Sequence, residues 1–193
     1  TGIPMLPEKV TKKVMSEILE SSRDFILGLE REAVVPATFS FERPILIASD
    51  SPAFVTNYYK LLEYHLKRLS GMYNTVILDP SQRISNQFFN GIQRFDTSLE
   101  VDNVIKTILE DFKKRVASPS QDYPKWLILI PDIAATAMAA GMNEADFKEL
   151  LTEGPRYGVT LVFVGAYQDL VTNQYDNFVK LANQLVEQVF LGV

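Results

Sequence analysis

The chain of 193 residues has no cysteine. Disulfides, thiol catalysis and cysteine-type zinc sites are therefore excluded, and the absence suits a reducing, cytosolic compartment. There is a single histidine, His65, so one chain cannot assemble a histidine-paired triad or a histidine cluster. No apolar run approaches the roughly 18 residues of a membrane span, and the first residues show no apolar h-region of a secretory leader. Positive charge is also sparse. Nineteen Lys and Arg stand against 24 Asp and Glu, a formal net charge of −5. A DNA-tracking surface neutralises phosphates and is normally basic. The short basic runs Lys12-Lys13 and Lys113-Lys114-Arg115 fall on expected helices and read as solvated faces, as do the pairs Glu17/Glu20, Glu30/Glu32 and Glu110/Asp111.

What is present is ordinary globular material: 47% hydrophobic and 22% charged residues. The length fits one domain with a full core, here 1–193, with a lead-in over 1–43 and a core over 44–193. The pattern predicts a helix over 7–25, then extended chain from Gly28 with weak strand signals at Val34-Val35-Pro36 and Thr38-Phe39-Ser40-Phe41. Strands follow over 45–48, 75–79, 126–130, 160–164 and 186–191. Helices are expected over 53–69, around Val101 to Val116, over 143–153 with Asn143 as N-cap, and over 170–183. The strands are continuous apolar runs, not alternating ones, which argues for a parallel sheet covered on both faces. Ligands bind such sheets at the carboxyl ends of the strands. The segments 49–56, 131–132 and 165–168 all fall at that edge.

The first of these segments sits in the strand–loop–helix setting of a phosphate-binding loop, and lacks the parts that bind phosphate. Laid on G-x-x-x-x-G-K-[ST], residues 49–56 put Ser49 at the first glycine, Phe54 at the second and Val55 at the lysine; only Thr56 matches. Glycines let such a loop aim successive backbone N–H groups at phosphates, and Pro52 removes one donor. Val55 leaves nucleotide charge uncompensated. Charge-assisted contacts are worth about 1.5–3 kcal/mol each, so the expected loss of affinity is several kcal/mol.

At these residues the chain resembles the FtsK/SpoIIIE class of ring-forming P-loop ATPases. It is most similar to the last, degenerate ATPase domain of the type VII secretion coupling proteins (the EssC/YukB/EccC family). Ile3-Pro4-Met5-Leu6-Pro7-Glu8 resembles the segment that opens a module, and Leu27-Gly28-Leu29-Glu30 the "GLD/E" stretch before the Walker A strand. Leu127-Ile128-Leu129-Ile130-Pro131-Asp132 resembles the Walker B strand, and Gly154 to Phe163 the "GR-x-x-GIHLIL" segment. Val179 to Leu185 is similar to the following "IKANI" region. Nearly the whole chain is covered; each motif alone is weak, and order and spacing carry the likeness. Family members usually continue beyond the equivalent of Val193, so the chain is expected to be a fragment of a longer one.

The resemblance implies an α/β, three-layer P-loop NTPase (RecA-like) fold with a mostly parallel central sheet. The vestigial nucleotide-site positions are then Ser49, Asp50, Ser51, Thr56, Asp132 and Gln168. Pro131 falls on the Walker B aspartate and Asp132 on its acidic neighbour; alternatively Asp132 only caps the next helix. The family's arginine falls on Pro155, with Arg156 displaced by one, and its turn glutamine on Ala166; Gln168 fits with two residues inserted. His65 reads as packing. Met138-Ala139-Ala140-Gly141-Met142 reads as an adaptable contact surface or as core.

The expected function is that of a catalytically inactive module in a type VII secretion motor, serving substrate recognition, docking or control of neighbouring ATPase domains. The alternatives are a weak ATP-binding or ATPase domain completed by a partner subunit and, further off, a DNA translocase. No cofactor is expected in the isolated domain beyond weak ATP and Mg²⁺. The resemblance implies as partners the neighbouring ATPase domains and secreted WXG-motif helical hairpins, and allows further copies of the full-length protein; the acidic composition speaks against nucleic acid. The resemblance places the module on the cytoplasmic side of a bacterial membrane-anchored chain.

Overall fold

Short runs of isoleucine, leucine and valine have β-branched or bulky side chains that favour extended chain and bury well on both faces of a sheet. The computed structural model describes residues 25–29, 36–39, 43–49, 52–120, 122–170 and 175–191. In it β1 (Phe25–Leu29) and β2 (Pro36–Phe39) form a separate antiparallel pair. The apolar runs become β3 (Ile45–Ser49), β4 (Tyr73–Leu78), β6 (Lys125–Ile130), β7 (Val159–Ala166) and β8 (Glu187–Leu191). With β5 (Gln93–Phe95) they build a six-stranded sheet in the order β5-β4-β6-β7-β3-β8. All its pairings are parallel.

Side chains alternate across a strand, and this divides the core in two. Leu127 and Leu129 join Ile45, Ile47, Val162 and Val164 on one face, under α1 (Pro52–Arg68) through Tyr58, Tyr59, Leu62 and Leu66. Ile128 and Ile130 join Leu46, Leu78, Leu161 and Phe163 on the other. That face is covered by α2 (Ser98–Ala117), α3 (Ile133–Ala139), α4 (Glu144–Glu153) and α6 (Asn177–Leu185). The result is the three-layer arrangement expected of the sequence.

Four features depart from the sequence pattern. Phe25, the last residue of the predicted 7–25 helix, begins β1; the rest of that helix lies outside the described residues. β5 carries one apolar residue in three and is held by pairing with β4. The single helix expected over 170–183 is replaced by the short α5 (Tyr167–Leu170) and by α6, because Asp176 caps a new helix start, accepting from the N–H groups of Phe178 at 2.9 Å and Val179 at 3.0 Å.

The fourth is Arg115, which is buried and not on a solvated face. Its guanidinium donates to the Tyr157 carbonyl at 2.8 Å, pairs with Asp111 at 2.7 Å and lies over the Tyr123 ring. This ties the end of α2 to the 3₁₀ turn Gly154–Tyr157, which enters β7 through Gly158 in the left-handed region (φ 78°).

Candidate functional site

The parallel sheet brings the expected segments to one edge. Ser49 ends β3, is buried, and is in register with Ala166 at the end of β7. Gln168 follows on α5 and is exposed. Asp132 lies just beyond Ile130, whose register partner is Phe163. A Cβ on Gly165 would stand 3.6 Å from the Pro131 carbonyl oxygen, so the ends of β6 and β7 are close together. Thr56 is exposed on α1, which begins at Pro52. Asp50 and Ser51 lie outside the described residues. Ser49, Thr56, Asp132 and Gln168 thus share the carboxyl side of the sheet.

Asp132 is the one of these whose bonds define chemistry. One carboxylate oxygen accepts from the Ala135 N–H at 3.1 Å and caps α3. The other accepts from the Ser81 hydroxyl at 2.7 Å and meets the Arg83 guanidinium at 2.9 Å. Both oxygens are engaged, and the side chain is only 11% exposed.

Asp79, Ser81 and Arg83 were not marked by the motif pattern. They belong to the loop that follows β4. Asp79 is fully buried. Its carboxylate accepts from the backbone N–H groups of Arg83 and Ile84, both at 2.9 Å. Arg94 on β5 fastens the other end of the loop, donating to the carbonyls of Ile84 at 2.7 Å and Phe88 at 2.8 Å. Ile84 and Phe89 anchor it in the core beneath α1. The available sequence signal was an aspartate closing an apolar strand before Pro80 and Ser81, a turn chemistry in which a carboxylate folds back on nearby N–H groups.

A fold of this type implies ATP and Mg²⁺, and three features of the described residues bear on that fit. Among the described residues, no cluster of three or more acidic or histidine side chains is placed to hold a metal. The Asp132 carboxylate is already committed to a cap, a hydroxyl and a guanidinium. The helix that should greet phosphate starts with proline, and its fourth residue is valine where lysine would be needed.

His65 is buried on α1, and that burial, reinforced by Arg68, lowers its pKa from 6.5 to about 4. It is neutral at physiological pH and serves packing. Arg156 is exposed beside the Tyr157 ring. Met138 is exposed while Met142 packs against the core, so the 138–142 segment divides between exposed surface and core.

No family model matches the chain. The type VII secretion system protein EssC of Staphylococcus aureus (strain MSSA476) is 23% identical over 199 residues, covering 100% of this chain. The chain is homologous to a segment of EssC. It spans 13% of the length of that relative. Among solved structures, the EccC fragment "ATPases 2 and 3" of Thermomonospora curvata, in complex with a signal sequence peptide, superposes with a TM-score of 0.72 at 12% identity; 97% of this chain and 37% of that chain are covered. The corresponding EssC fragment from Geobacillus thermodenitrificans gives 0.67 at 15% identity, covering 97% and 37%. The fold is therefore that of the P-loop ATPase domains of EssC and EccC, of FtsK/SpoIIIE type. No helix among the described residues is long and apolar enough to cross a membrane.

Proposed function

We propose that this chain is a catalytically degenerate ATPase-like module of a type VII secretion motor. It works by docking, by recognising exported protein or by controlling neighbouring ATPase modules. The observation that carries the reading is the state of Asp132. Asp132, which aligns with the acidic neighbour of the Walker B aspartate, is held by Ser81 and Arg83, while the position that should supply lysine is Val55. A fold keeps its packing when a site loses its charge, and the scaffold then serves binding.

The likeness to the EccC and EssC fragments "ATPases 2 and 3" supports a place beside other ATPase modules, and the family resemblance implies the cytoplasmic side of a membrane-anchored chain. The EccC fragment solved with a signal sequence peptide supports the secreted proteins, WXG-motif helical hairpins, as cargo. No nucleic acid is bound, and ATP·Mg²⁺ is at most a weak ligand.

The test is turnover and export by the full-length parent. Asp132→Asn in this module leaves ATP turnover by the assembly unchanged, whereas deletion of the module reduces export. Loss of turnover on Asp132→Asn would instead favour a weak ATPase site completed by a partner subunit.

A further inference from the structure

We propose that Arg83 is a built-in counter-ion for Asp132 that closes the carboxyl edge of the sheet to divalent cations. The inference deepens the reading of a module without nucleotide chemistry, and it rests on that reading only for the absence of catalysis.

Three independent placements put the guanidinium there. The Arg83 backbone N–H is held by the buried Asp79 carboxylate at 2.9 Å, which fixes where the side chain leaves the loop. The loop is pinned beyond it by buried Ile84 and Phe89 and by the Arg94 fork on the carbonyls of Ile84 and Phe88. Ser81, two residues earlier, donates to the same Asp132 oxygen that Arg83 meets. The loop after β4 therefore delivers one hydroxyl and one fixed positive charge to a single carboxylate oxygen at the end of β6.

A divalent cation approaching that oxygen meets a guanidinium held 2.9 Å from it. The two positive charges repel in a partly desolvated setting, where Coulomb interactions are stronger than in bulk water. The other oxygen is spent on the cap of α3. Arg83 thus does with a covalently attached charge what a bound metal would do: it neutralises Asp132 and fixes the β4 loop against the start of α3.

Mn²⁺ binding to the 193-residue chain without nucleotide, read by electron paramagnetic resonance of the free ion, tests this. Arg83→Gln raises Mn²⁺ affinity at least tenfold, and adding Asp132→Asn abolishes the gain. Arg83→Lys, which keeps the charge, shows no gain. Equal Mn²⁺ affinity in Arg83→Gln and the parent overturns the proposal, as does a parent that already holds Mn²⁺ through Asp132. Should Arg83→Gln fail to fold, the Arg83 Nε–H resonance of the parent decides. It is expected to shift in Asp132→Asn and to stay fixed in millimolar MgCl₂; a shift with MgCl₂ overturns the proposal. Micromolar ATP binding with Arg83 still on Asp132 would instead sink the proposed function and leave this pair standing.

Discussion

His65 is the chain's one histidine, so its ring resonances assign themselves. Burial holds its folded pKa near 4, against 6.5 in the free side chain. The unfolded chain therefore takes up a proton over that window while the folded chain does not. Stability from this group is complete above about pH 6.5 and is lost as pH falls towards 4, by up to about 3 kcal/mol. An NMR titration should show the imidazole protonating near pH 4; a midpoint near 6.5 would contradict the buried placement. Thr136 offers a second residue-scale check. Its hydroxyl is buried with no hydrogen-bond partner among the described residues. Thr136→Val keeps the shape and removes the stranded polar group, so it should raise stability by about 1 kcal/mol in denaturant unfolding.

At the scale of elements, the turn into β7 is tightly specified. A Cβ on Gly154 would stand 2.5 Å from the Val159 carbonyl oxygen, a backbone atom that cannot swing aside. Gly154→Ala should cost about 2 kcal/mol, measured by denaturant midpoint. Arg115→Met removes the guanidinium that holds the Tyr157 carbonyl and faces Asp111. It should destabilise by about 2 kcal/mol, since a partly buried carbonyl loses a charge-assisted bond. The strands carrying the core were legible because long apolar runs leave few other fates, and Asn143 was legible as a cap because it accepts from the Asp146 N–H, three residues on, at 2.7 Å. β5 was not, since Gln93-Arg94-Phe95 has no apolar pattern and is held by pairing alone. Nor was Arg115, whose basic neighbours disguise it; its partner at Tyr157 is 42 residues away. The site behaved likewise. The placing of Ser49 and Asp132 at the ends of their strands could be read locally, but Ser81 reaches Asp132 across 51 residues, and only the assembled sheet brings them together.

For the whole molecule, the proposed function requires a P-loop architecture kept without its triphosphate chemistry. The six parallel strands and the cover on both faces depend on apolar packing, and none of that needs a lysine at position 55. Calorimetric titration of the 193-residue chain with ATP and Mg²⁺ decides between the degenerate and the nucleotide-binding module. A degenerate module gives no saturable heat at micromolar nucleotide; a micromolar dissociation constant with one ATP bound per chain would overturn that reading.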